Sequence, residues 1–294
     1  MPQELLIAAY VTPVKEVLTK FDDRLSSMMV EFTREMMRTV NAIADGTGAS
    51  TNPDGCALEC YYTTAWNSDA VLEVVLDDPK VEFWSVHAPY GRHFDPSALD
   101  VTAREGGVSA YCDAVRFAAR LGAKVVVAHP GANVPYGISK TDAIGLAIDP
   151  FRRIADLAGE QGIRVAIEPL PKSEVGNSIG EVLEIIERVD RPNVGVNFDV
   201  NHLFPPEAIP GMIRQAGSRI VSVHVSDQDG TERHWLPFKG TLDWRDILKA
   251  LAEIGYAGPL IYETHIHDVE RCDQVGAAIV ENYEQLIQLA SAQD

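Results

Sequence analysis

Six residues of the kinds that hold metal ions or move protons stand at the ends of short apolar runs: His87, His129, Glu168, Asp199, His224 and Glu263. Gathered in an apolar surround, the three carboxylates would repel one another unless a cation or protons compensated their charge. With His224, the carboxylates Glu168, Asp199 and Glu263 make a mixed oxygen and imidazole donor set. Such a set suits Mn²⁺, Mg²⁺, Co²⁺ or Zn²⁺ and leaves positions for the oxygens of a substrate. His202 and His234 lie in the stretches that follow Asp199 and His224, close enough in sequence to join the same site.

Positioning these residues together requires elements that end side by side. Eight runs rich in branched and aromatic residues recur along the chain: Leu5 to Val11, Ala57 to Thr63, Val81 to His87, Lys124 to His129, Arg164 to Pro169, Val194 to Asp199, Ile220 to Val225 and Pro259 to Thr264. Several are almost continuously apolar, such as Val125-Val126-Val127-Ala128, as parallel strands covered by helices are. Amphipathic stretches separate them. Phe32, Met36 and Val40 repeat every four residues with Met29 and Met37 beside them, Ser178 with Glu181 forms a capping box, and Asp243 opens a helix through Trp244, Ile247, Leu248 and Leu251. Gly122, Gly162 and Gly255 sit just past helices.

Strict alternation of strand and helix without a long polar linker predicts one closed (β/α)₈ TIM barrel spanning residues 1–294 as a single domain. A doubly wound open sheet is the alternative, but it places a glycine-rich phosphate loop after its first strand, and Val11-Thr12-Pro13-Val14 stands there instead. In the barrel, strand C-terminal ends converge on one mouth, so the six side chains would face a single cavity. The stretch from Thr12 to Gly55 exceeds a minimal β-α unit by about twenty residues. We expect an extended helical segment there, between strands 1 and 2, packed on the barrel or forming a contact in a homo-oligomer.

The 294 residues carry 43 Asp and Glu against 25 Lys and Arg, a formal charge of −18, and a pI near 4.8. Binding the phosphates of nucleic acid takes a clustered basic face, so no nucleic-acid partner is expected. The N-terminal apolar run is short and follows Glu4, which fits neither a secretory signal nor a membrane span. Cys56, Cys60, Cys112 and Cys272 show no CxxC spacing and read as structural thiols in a reducing, cytoplasmic setting.

The segments Val86-His87-Ala88-Pro89-Tyr90, Ala128-His129-Pro130-Gly131, Ile167-Glu168-Pro169, Phe198-Asp199-Val200-Asn201-His202, His224-Val225-Ser226-Asp227, Gly240-Thr241-Leu242-Asp243-Trp244 and Tyr262-Glu263 resemble, in order, the xylose-isomerase-like barrel superfamily. That superfamily includes sugar-phosphate isomerases and epimerases, ketose 3-epimerases, inosose isomerases and dehydratases, and endonuclease-IV-type apurinic endonucleases. Resemblance to the isomerases and epimerases implies one divalent ion on Glu168, Asp199, His224 and Glu263. It also implies that His202 touches substrate, with Glu168 and Glu263 exchanging protons on opposite faces of a sugar. Resemblance to the endonucleases implies three zinc ions, with His87, His129, His202 and His234 matching ligand positions and Glu232-Arg233-His234 standing where those enzymes have Asp-Arg-His. The ketose epimerases carry His-x-Gly-Glu where this chain has His224-Val225-Ser226-Asp227, a departure that counts against free-ketose 3-epimerisation. Leu236-Pro237-Phe238-Lys239-Gly240 replaces a glycine-richer loop and brings Lys239 toward the mouth, where a lysine contacts a carboxylate or phosphate.

The chemistry expected is proton transfer at a carbon beside a carbonyl or hydroxyl, the charge of an enediolate being absorbed by a single divalent metal ion. The substrate is a small carbohydrate: a sugar, sugar phosphate or cyclitol. Glu168 and Glu263 are the expected catalytic pair; His87, His129, His202, Arg233, His234 and Lys239 are expected to bind substrate. Competing readings are a metal-dependent lyase or dehydratase on an oxidised sugar or cyclitol, a multinuclear phosphodiester hydrolase, which the −18 charge opposes, and a non-catalytic sugar-binding module.

Overall fold

Eight parallel strands close on one another in chain order: β1 (Ile7–Val11), β2 (Cys56–Tyr61), β3 (Val81–His87), β4 (Val125–Ala128), β5 (Arg164–Ile167), β6 (Val194–Asp199), β7 (Ile220–Val225) and β8 (Leu260–Tyr262). The computed structural model describes residues 7–11, 56–62, 72, 81–171, 175–264 and 272–291. β1 pairs with both β2 and β8, which completes the TIM barrel. Every expected run is a strand, its ends within one or two residues of the sequence reading. Around the barrel stand α1 (Val101–Leu121), α2 (Lys140–Glu160), α3 (Ile179–Val189), α4 (Ile209–Ala216), α5 (Trp244–Glu253) and α6 (Cys272–Ser291). The expected helical segment over 12–55, with its Phe32, Met36 and Val40 stripe, lies outside the described residues.

Local signals set the helix ends. Ser178 accepts a hydrogen bond from the Glu181 N–H at the start of α3, and Glu181 accepts one from the Asn177 N–H, so the capping box reaches one residue further back than its usual form. Asp243 caps α5 by accepting from the Asp246 N–H. Gly122, Gly162 and Gly255 all take a positive φ of 71°.

Alternation along the strands divides apolar from polar. One set of side chains, including Val86, Val126, Val165, Ile167, Val196, Phe198 and Val223, packs outward with Tyr111, Phe117, Phe151, Ile154 and Ile185 of the helices in the main core. At about 1.5–3 kcal/mol for each large side chain fully buried, this layer supplies most of the drive to fold. A separate cluster of Val125, Val127, Ala166 and Val221 fills the lumen. Followed two residues at a time toward the strand C-termini, the inward rows turn polar: His129 after Val127, Glu168 after Ala166, Asp199 after Asn197, His224 after Ser222, His87 after Ser85. All but His129 are buried outright. The barrel therefore has an apolar plug beneath a layer of ionisable groups.

Candidate active site

Glu168, Asp199, His224 and Glu263, from the ends of β5, β6, β7 and β8, each present one donor atom, and these atoms lie within 4.8 Å of one another. His224 Nδ1 is 2.8 Å from Glu263 Oε2, 3.1 Å from Glu168 Oε1 and 3.9 Å from Asp199 Oδ2. Asp199 Oδ2 is buried with no hydrogen-bond partner among the described residues. An orphaned carboxylate oxygen, beside two further carboxylates and an imidazole nitrogen, fits a divalent cation far better than an empty polar pocket.

The neighbouring histidines strengthen that fit. His87 Nε2 donates to Glu168 Oε2 at 3.2 Å, while its Nδ1 lies 2.7 Å from the Ala88 carbonyl. His129 Nε2 donates to the same Glu168 Oε2 at 3.0 Å. His202 Nδ1 faces the Pro169 carbonyl at 3.1 Å, and His234 lies between the Glu263 carbonyl at 3.0 Å and Glu232 Oε1 at 3.3 Å. A neutral imidazole has one donor only. Rings whose two nitrogens both face acceptors must carry an extra proton or meet a cation.

The electrostatics follow. Burial pushes the His224 imidazolium down, but Glu59, Glu168 and Glu263 outweigh it and hold the ring well above the usual histidine range. Burial likewise raises Glu168, yet His224, His129 and His87 keep it well below the ordinary carboxylate range. Asp199 is pushed up to about 7 by burial, with Glu263 and Glu168 adding to the rise against His202. His234 resists its desolvation through Glu232 and Asp199 and reaches about 9, whereas burial wins at His129 and lowers it.

Above this layer opens a cavity of about 420 Å³, lined among others by His87, Tyr90, His129, His202, Glu232, His234 and Glu263. The volume lies in the usual range of small-molecule sites, about 300–1,000 Å³. The structure thus brings all four of the additional histidines to one mouth. It does not bring in Arg233 or Lys239: both side chains are exposed and absent from the lining. Arg233 instead pairs with Asp229 at 3.0 Å and lies over the Trp235 ring, 5.2 Å from its centroid. Glu263 is half-buried and borders the cavity, while Glu168 lies beneath its floor.

Two further donor groups stand beside the first: His87, His129 and Glu168, which shares Glu168 with it, and His202, Glu232 and His234, which shares none of its residues. A second ion needs a bridging carboxylate, and Glu232 is one candidate, placed with His202 and His234. The structure supplies another, because Glu168 turns Oε1 toward His224 and Oε2 toward His87 and His129.

The loop carrying Glu232 and His234 is held by a buried corner. Asp227 and Trp235 exchange backbone hydrogen bonds across its base. The Asp227 carboxylate accepts from the Gln228 N–H at 2.8 Å, the Leu242 N–H at 3.2 Å and the Trp244 indole at 2.9 Å. A Cβ on Gly240 would lie 2.2 Å from the Gln228 carbonyl oxygen, so only glycine closes the turn. His234 takes φ 53° within this loop, a conformation non-glycine residues adopt when the surroundings enforce it.

Three site residues escaped the sequence reading. Tyr90 stacks on His129 with ring centroids 4.9 Å apart. Asn197 donates to Glu168 Oε1 at 3.2 Å. Glu59, on β2, is fully buried with Oε1 3.1 Å from His224 Nε2; its signal was a lone charge between Leu58 and Cys60 in an apolar run. Among the described residues, Cys60 and Cys112 are free thiols, and no helix is long and apolar enough to cross a membrane.

The sequence pattern of the xylose isomerase-like TIM barrels matches residues 66–289. An uncharacterised protein of Methanocaldococcus jannaschii is 27% identical over 239 residues, covering 77% of this chain and 80% of its own. The D-psicose 3-epimerase of Ruminiclostridium cellulolyticum is 30% identical over 123 residues, 41% of each chain. The crystal structure of IolI with a bound zinc atom superposes with a TM-score of 0.69 at 17% identity, covering 98% of this chain and 99% of that one; that likeness is one of fold.

Proposed function

This chain belongs to the xylose isomerase-like TIM-barrel family, and from that premise we propose that it is a divalent-metal-dependent isomerase or epimerase. Its substrate is a small carbohydrate (a sugar, sugar phosphate or cyclitol), and its reaction moves a proton at a carbon beside a carbonyl. The observation carrying this reading is the convergence of Glu168, Asp199, His224 and Glu263 within 4.8 Å at the base of the cavity. These four residues would hold Mn²⁺, Mg²⁺, Co²⁺ or Zn²⁺, which when bound stabilises negative charge developing on substrate oxygens.

The chain's own groups do the rest. Glu263 borders the cavity and reaches a substrate directly, so it is the proton acceptor or donor on that face. Glu168 lies deeper, kept ionised by His224, His129 and His87, and serves the opposite face. Delivery of the proton to the same carbon gives epimerisation; delivery to its neighbour gives isomerisation. His202, His234 and the Tyr90 ring orient the sugar. Asp227 stands where ketose epimerases carry the glutamate of His-x-Gly-Glu, yet its carboxylate is buried in the loop corner, which favours a substrate other than a free ketose. Arg233 and Lys239, placed outside the cavity, have no part in this reading.

The test incubates the metal-replete protein in D₂O with ketoses, sugar phosphates and cyclitols and follows the carbon-bound hydrogens by NMR. Deuterium entering beside the carbonyl with turnover supports the proposal. Turnover with no solvent exchange excludes it.

A second reading, a multinuclear phosphodiester hydrolase, is favoured by one observation: Glu168 is shared between two donor groups, and His202, Glu232 and His234 form a third. The −18 charge works against a nucleic-acid substrate, so its substrate would be a small phosphodiester. Three ions per chain with hydrolysis of bis(p-nitrophenyl) phosphate would establish it; one ion and no hydrolysis would remove it.

A further inference from the structure

Glu59 stands apart from the three donor groups and yet is buried as deeply as any of their members. It sits on β2, whose register with β3 shifts between Leu58 and Glu59 so that Glu59 pairs with Ser85 and Trp84 is passed over. The Ser85 hydroxyl donates to Glu59 Oε2 at 2.6 Å. Across the lumen, Glu59 Oε1 faces His224 Nε2 at 3.1 Å. The ring's N–H is not aimed at that oxygen, and neither atom has another hydrogen-bond partner among the described residues. No Lys or Arg among the described residues pairs with Glu59.

The cationic partner Glu59 meets among the described residues is His224, and an apolar residue of the same volume would serve the barrel at least as well as such a buried pair. Its retention calls for a role in the chemistry of His224. That ring turns Nδ1 to Glu168, Asp199 and Glu263. An imidazole that donates the Nδ1 lone pair to an ion carries its proton on Nε2, and in a dry lumen that N–H needs an acceptor. Glu59 Oε1 lies 3.1 Å from Nε2, and a turn of the ring is all that is needed to aim the N–H at it.

We propose that Glu59 is a positioning residue for the metal site: held by Ser85, it fixes the His224 tautomer and ring orientation through Nε2 and makes Nδ1 a stronger donor. The proposal rests on the metal reading given above, and its test separates the two. Outer carboxylate partners of this kind are typically worth 10–100-fold in metal affinity.

The experiment titrates the chelator-stripped protein with Co²⁺, reading its visible absorption and the dissociation constant by competition with a chelator. Glu59→Gln, which keeps the volume and removes the charge, is expected to weaken Co²⁺ binding about 10–100-fold and to alter the Co²⁺ spectrum. The thermal unfolding of the metal-free protein should stay within a few degrees of the parent. Ser85→Ala, which leaves Glu59 in place but frees it to rotate, provides the second reading should the Gln variant fail to fold, with an expected loss of several-fold. Parent-like Co²⁺ affinity and spectrum in a folded Glu59→Gln or Ser85→Ala protein would overturn the positioning role while leaving the metal site intact. A parent protein that binds no Co²⁺ would overturn both.

Discussion

Replacing Asp227 tests whether the loop that brings Glu232 and His234 to the mouth hangs on one buried carboxylate. Asp227 is wholly buried, and its two oxygens take hydrogen bonds from three donors: the Gln228 N–H at 2.8 Å, the Leu242 N–H at 3.2 Å and the Trp244 indole N–H at 2.9 Å. Asp227→Ala leaves all three without an acceptor. A buried donor deprived of its partner costs about 1–3 kcal/mol. Because the Leu242 bond is long and part of the corner can relax, the expected loss is roughly 3–6 kcal/mol. Asp227→Asn keeps one acceptor oxygen. Whichever way the amide is turned, its NH₂ then faces a donor, either Trp244 or the two backbone N–H groups, so at least one bond is lost at about 1–3 kcal/mol. At about 2–4 °C per kcal/mol for a chain of this size, the Ala variant should melt roughly 6–24 °C below the parent and the Asn variant should fall in between. The assay is thermal and urea unfolding of chelator-stripped protein followed by circular dichroism. Co²⁺ affinity should stay near that of the parent, since Asp227 has no hydrogen bond or ion pair with the Glu168, Asp199, His224 and Glu263 set. An Ala variant within about 1 kcal/mol of the parent would refute the donor count. An Asn variant as unstable as the Ala variant would show that charge, and not the number of acceptors, holds the corner.

Two further outcomes follow from the site. In the metal-free protein Asp199 titrates at about 7 because of its burial, and His224 holds its proton well above the usual range. Protons and a cation therefore compete for the same atoms, ion affinity should fall as pH drops through 7, and binding at pH 6 should release about one to two protons. Calorimetric titration in two buffers of different ionisation heat measures that number, and pH-independent binding without proton release would contradict it. In the D₂O exchange assay, Glu168→Gln and Glu263→Gln should each slow turnover by about 10²–10⁴-fold. Ion content must be measured beside the rate, since a variant that keeps both its ion and full activity removes that residue from proton transfer.

Much of this site was legible in the sequence because the governing interactions are local. Period-two alternation puts His129 two residues beyond Val127 and Glu168 two beyond Ala166 on the inward rows. Parallel strands in a closed barrel then bring their ends together without any knowledge of packing. The caps at Ser178 and Asp243 were equally readable, since each bond spans three residues. What sequence could not decide is how groups meet across the lumen and which way loop side chains turn. Glu59 meets His224 only because the barrel closes and β2 shifts register against β3, neither of which is written in the neighbours of residue 59. Arg233 reads as a mouth residue beside His234, yet the Asp227 corner and the positive φ at His234 turn the histidine inward while Arg233 pairs outside with Asp229. The shared position of Glu168 likewise needed tertiary structure. A carboxylate has two oxygens, and only the placement of β3 and β4 on one side and β7 on the other gives them different histidines.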